Sequence, residues 1–116
     1  MSGRRAERVA EAVRGVIAEM LLRDVKDPRI GMVTLTTVEL TDDLRHCRVR
    51  FTCVGDPATR QRSLDGLHSA AGFIKSQLTR RLRLRYAPEL TFELDDSLDK
   101  AERLASLLRA LPPTDD

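Results

Sequence analysis

Apolar residues open the chain at helical spacing. Val9, Val13, Val16, Ile17, Met20 and Leu21 recur between Arg4 and about Leu22 with charges between them, which predicts an amphipathic helix. The segment DPRIG stops it, because Pro28 cannot continue a helix and Gly31 permits a sharp turn. The period then drops to two. MVTLTTVEL, Met32 to Leu40, is rich in β-branched residues and reads as a strand. Its alternation slips between Leu35 and Val38, so a bulge or an early end is expected there. Thr41 to Arg45 supplies turn chemistry. Cys47, Val49, Phe51 and Cys53 then alternate with His46, Arg48, Arg50 and Thr52, as in a strand covered on one face only. The short connection makes these two strands an antiparallel hairpin.

Beyond GDPATR, Thr59 is the expected N-cap of a helix through about Ser69. Ala70, Ala71 and Gly72 read as a break, or interhelical kink, before a further helix from Phe73 to about Arg85. That helix would bury Ile74, Leu78 and Leu82. Pro88 closes the segment, and Leu90, Phe92 and Leu94 alternate as a third strand. Asp95, Asp96 and Ser97 offer caps for a last amphipathic helix carrying Leu98, Ala101, Leu104, Leu107 and Leu108. The expected fold is α+β, with a three-stranded sheet and its helices on one face. Residues 1–111 form one domain and residues 112–116 a flexible tail.

Composition narrows the class. At 116 residues the chain supports one core, and 41% apolar residues are enough to fill it. Aromatics are only 3%, so the core is aliphatic. No stretch approaches the roughly 20 apolar residues of a membrane span. The N-terminal arginines lack the apolar run of a secretory signal. Two cysteines, Cys47 and Cys53, imply no disulfide framework, and a reducing cytoplasm is the simplest expectation.

Net charge is only +2, but its distribution is uneven. From Arg60 to Tyr86, seven basic residues face Asp65 alone, a local +6 that leaves −4 for the remainder. Such a concentration suits a polyanion, because releasing counterions from phosphates drives affinity without base readout. A solvated helix face with dipole-favoured C-terminal arginines has the same appearance.

Catalytic chemistry finds little support. His46 and Cys47 are strand neighbours and point to opposite faces, so they cannot act as a nucleophile pair. The cysteines lie on the apolar side, as small core residues do. Two His and two Cys lack ligand-like spacing for a metal. Asp42-Asp43 and Asp95-Asp96 fall where turns and caps are expected. No phosphate-binding loop, dinucleotide fingerprint or nucleophile elbow occurs. No enzyme activity, cofactor or small-molecule substrate is expected.

The order of elements is that of a type II KH-like domain, α-β-β-α-α-β, with a C-terminal helix added. KH domains clamp a nucleic-acid backbone with a GxxG loop; here the junction is Ala70-Ala71-Gly72. KDPRIG, VTLTTVELTDDLRHCRV, SAAGFIK and LRLRYAPELTFELDDS follow one another at spacings that closely resemble the bacterial ribosome-binding factor A family. The resemblance implies a monomeric, cytoplasmic assembly factor. It would bind free 30S subunits through 16S rRNA, near its 5′-terminal helix, and support late maturation, rRNA processing and cold adaptation. The AxG kink would replace the GxxG loop. Expected phosphate contacts are Lys75, Arg80, Arg81, Arg83 and Arg85, with Arg60, Arg62, Arg48 and Arg50 behind them. The alternative is a generic KH-like binder of single-stranded RNA or DNA.

Overall fold

The computed structural model describes residues 3–112. In chain order it contains α1 (Gly3–Arg23), β1 (Val33–Leu40), β2 (His46–Cys53), α2 (Pro57–Arg81), β3 (Glu89–Leu94) and α3 (Ser97–Ala110). Most of the expected tail lies outside the described residues. β2 is the central strand, antiparallel to β1 and parallel to β3. A parallel pair needs a crossover, and α2 supplies it. Thus the α+β class and the three-stranded sheet are as expected.

The core follows from the period-two pattern. Cys47, Val49, Phe51 and Cys53 of β2 are buried beneath α1 and α2, together with Leu35 and Phe92. α1 contributes Val13, Ile17 and Met20, and α2 contributes Leu67, Ile74 and Leu78. The opposite face of the sheet is polar, with Arg48 and Thr91 in register on it and Arg50 beside Glu93. The expected slip in β1 is a bulge between Leu35 and Thr37. Arg14 of α1 secures it, donating to Leu35 O at 3.1 Å and Thr36 O at 2.6 Å.

Three expectations need correction. Ala70, Ala71 and Gly72 do not separate two helices; they lie inside one 25-residue helix. Glycine costs about 1 kcal/mol relative to alanine in a helix. Burying a Leu or Ile contributes about 1.5–3 kcal/mol each. Leu67, Ile74 and Leu78 form one stripe that continues only if the helix does, so packing outweighs propensity.

The helix also begins earlier than expected. Asp56 is the N-cap, accepting from Thr59 N at 2.8 Å, and Pro57 follows at the first helical position. At the other end the helix stops at Arg81, short of Arg85.

Finally, α3 buries none of its residues, although its sequence is amphipathic. Leu104, Leu107 and Leu108 are 57%, 61% and 58% exposed. α1 and α2 already cover the apolar face of the sheet, and the other face is polar, so neither face of the sheet receives the α3 leucines. The helix projects instead, and the radius of gyration is 17.5 Å against about 13 Å for a compact domain of this size.

KDPRIG, between α1 and β1, docks on α2. Ser63 is fully buried; its hydroxyl accepts from Gly31 N at 3.0 Å and donates to Arg29 O at 3.3 Å. Gly66 lies one turn on, and a Cβ there would meet Ile30 Cγ1 at 2.7 Å. At Gly72 a Cβ would meet nothing within 4 Å. The glycine that permits close approach is therefore Gly66.

Candidate nucleic-acid interface

α2 carries most of the predicted cations, but a single straight crossover spreads them. Arg60 and Arg80 are 20 residues apart on one helix, roughly 30 Å at 1.5 Å per residue. Arg60 pairs with Asp99 of α3 at 2.7 Å. Arg62 is exposed near the same end. Arg48 and Arg50 lie on the open sheet face and share Glu93, at 3.5 and 3.4 Å. The nine predicted residues therefore form three groups.

The distal group differs internally. Lys75 binds Glu89 at 2.6 Å and holds that carboxyl below its usual range. Arg81 pairs with Asp24, just past the end of α1, at 2.8 Å. Both are partly exposed pairs of the kind that contribute at most about 1 kcal/mol. Arg80, Arg83 and Arg85 are exposed and have no acidic partner among the described residues.

The backbone at Arg83 is informative. Leu84 N donates to Thr79 O at 3.0 Å and Arg83 N to Arg80 O at 3.3 Å, the paired bonds of a Schellman stop. The residue just past such a stop adopts the left-handed conformation and is usually glycine. Here it is Arg83, at φ 51°. A left-handed residue with a Cβ costs about 1–2 kcal/mol, and the chain keeps a cationic side chain there nonetheless.

Residues not anticipated from sequence complete this end of the molecule. The β1–β2 turn is fastened by Asp43, which accepts from Thr41 Oγ1 at 2.6 Å and Arg45 N at 3.0 Å. These bonds hold its carboxyl below the usual range. They also bring Arg45 over the Tyr86 ring, 4.1 Å from its centroid, while Arg85 lies at 5.4 Å. Arg5, in the first turn of α1, lines a cleft of about 390 Å³ with Arg83, Arg85 and Tyr86. Nothing local in the sequence marks Arg5 or Arg45, since tertiary packing brings Arg5 to the cleft and Arg45 to the Tyr86 ring. The RLRLRY run did mark the third side.

Burial pushes the Cys47 thiol up to about 11, so it stays protonated and non-nucleophilic at neutral pH. Cys53 Sγ lies 3.2 Å from the buried Ser63 hydroxyl, a core contact. Among the described residues, no group of His, Cys, Asp or Glu is placed to hold a metal, and no helix is long and apolar enough to cross a membrane.

The chain matches the family model described as ribosome-binding factor A over residues 5–108. It is 46% identical to ribosome-binding factor A of Desulforamulus reducens, with 92% of this chain and 89% of that protein covered. Its fold matches a Thermotoga maritima protein solved by NMR, with TM-score 0.69 and 31% identity over 77% of this chain and 85% of that one. It also matches the Thermus thermophilus ribosome-binding factor A model fitted into a cryo-EM map of a 30S complex. There the TM-score is 0.64 at 24% identity, over 77% of this chain and 93% of that one. With the family model spanning nearly all of α1 through α3, this chain belongs to the ribosome-binding factor A family.

Proposed function

We propose that this protein binds the free 30S subunit through 16S rRNA, as a monomer in the cytoplasm, and supports late subunit maturation and rRNA processing. The observation that carries the reading is the cationic end of the fold. Arg80, Arg83 and Arg85 make no ion pair among the described residues, and Arg83 occupies a backbone position that favours glycine. Arginine stands there at a local conformational cost, and its fork geometry matches phosphate. The Thermus relative, fitted into a 30S complex, supports the choice of partner. The 5′-terminal helix of 16S rRNA is the proposed neighbourhood.

Lys75, Arg81, Arg60, Arg62, Arg48 and Arg50 act behind this centre. Five of them already face carboxylates, so each would exchange a weak surface pair for a phosphate. Residues 1–111 serve as one ribosome-binding unit. The family match supports the role of a binding factor.

Sedimentation of the tagged protein through a gradient of cell lysate tests this. Co-migration with free 30S particles, lost on Arg80→Glu with Arg83→Glu, is the expected result. Equal retention by polysomes and bulk RNA would instead support a general single-strand binder.

A further inference from the structure

We infer that the cleft beside Tyr86 takes one unpaired nucleotide of the bound RNA, its base against the Tyr86 ring and its phosphates on Arg83 and Arg85. This rests on the RNA-binding reading above and adds what is recognised at that end of the molecule.

Three separate elements build the cleft: the first two turns of α1, the β1–β2 turn and the segment between α2 and β3. Its volume of about 390 Å³ falls within the range of pockets that hold small organic groups. Val9, Leu44, Leu82 and Leu84 give it an apolar lining, and arginines stand around them. A surface that only gripped phosphate would need no apolar lining. A flat base carrying a charged phosphate needs both. Asp43 is the acid beside the cleft, and its carboxylate is engaged by Thr41 and Arg45.

Tyr86 is the stacking element. It is 45% exposed, and Arg45 lies in close contact with its ring. Arg85 stands farther off and has no acidic partner among the described residues. It can move to a phosphate while a base settles against the ring. Leu44 and Arg83, at φ 61° and 51°, both line this cleft. Side-chain-bearing residues held in the left-handed region concentrate where a backbone shape is used. Aromatic stacking accepts any base, so the cleft selects unpaired RNA over paired RNA without reading sequence.

The chain has one tyrosine and no tryptophan, so tyrosine emission reports Tyr86 alone. The intact protein is titrated with an end-labelled ten-nucleotide adenosine–uridine RNA strand and with a blunt RNA duplex of that length. Label anisotropy reads binding, and tyrosine emission reads the cleft. The single strand should quench the emission in step with anisotropy, and the duplex should bind without quenching. Tyr86→Phe should keep single-strand affinity. Tyr86→Ala should lose about tenfold or more for the single strand and leave duplex affinity unchanged. Emission that stays constant at saturating single strand overturns the inference. So does equal quenching by the duplex or by free AMP at the same concentration. Absence of any anisotropy change with either RNA would instead sink the RNA-binding reading itself.

Discussion

The Thr36 hydroxyl donates to Asp95 at 2.6 Å, across the central strand. Thr36 is the extra residue of the β1 bulge, and Asp95 follows β3, so the bond ties both outer strands over β2. The Asp95 carboxylate also accepts from Ser97 N at 2.9 Å, a turn bond just ahead of α3, whose N-cap is Asp96. The Ser97 hydroxyl has the largest effect on the Asp95 carboxyl, then the Thr36 hydroxyl and then the Ser97 N–H, and together they hold its pKa at about 2. Because the folded pKa lies below the ordinary 3.8, this contribution is complete above about pH 4. It is lost as pH falls from there through about 2. Asp95→Asn should therefore lower the urea midpoint at pH 7, and the difference from wild type should shrink as titrations are taken to pH 2.5. A constant difference would mean that the carboxylate charge is not what matters.

Gly66 and Gly72 should respond oppositely to alanine. Gly66→Ala drives a Cβ into Ile30 and should destabilise by about 1–3 kcal/mol. Gly72→Ala meets open space and should stabilise by up to about 1 kcal/mol, raising the melting temperature by a few degrees. Because α2 passes through Gly72 unbroken, 30S co-sedimentation should not change. Loss of binding in a more stable Gly72→Ala protein would restore the kink as a working joint.

Arg83→Gly separates stability from function. Relief of the left-handed backbone should raise stability by about 1 kcal/mol. Removal of the cation should weaken RNA binding and flatten its salt dependence by roughly one phosphate contact. Thermal melts and salt-dependent binding isotherms measure the two effects. Unchanged binding would leave Arg83 as a cap alone.

Ser63→Ala should cost about 1–3 kcal/mol, since Gly31 N and Arg29 O would both lose their partner beneath α2. The loss would be read as a lower urea midpoint with an unchanged slope. If the midpoint did not move, water would be replacing the hydroxyl.

Removing α3 by ending the chain after Asp96 should change the melting temperature little, because that helix buries no residue. A large drop would reveal packing in solution that the projecting helix does not show.

Period-two alternation made the strands legible, and the slip at Leu35 to Val38 located the bulge. The same local logic failed at Ala70-Ala71-Gly72, because helix continuity there is decided by Leu67, Ile74 and Leu78 reaching one core. It failed again for α3, whose leucines look like a core stripe although the sheet has no second apolar face to receive them. The cationic run was readable as composition. Which arginines are free of carboxylates was not, since Asp24, Glu89, Glu93 and Asp99 arrive from other elements. The acidic doublets, in contrast, show the expected turn chemistry in Asp43 and Asp95, while Asp96 sits at the N-cap of α3 without a side-chain capping bond.

An unbroken α2 has a mechanical consequence. Twenty-five residues make a rod of roughly 37 Å, with Arg60 and Arg62 near one end and Arg80 at the other. A flexible joint would let those charges follow whatever phosphates were present. With those arginines on RNA, as proposed above, a stiff rod would measure: it would fit only a backbone that offers anions at that separation. A subunit that has not yet reached the required shape, or has already passed it, would meet the protein with one end unsatisfied.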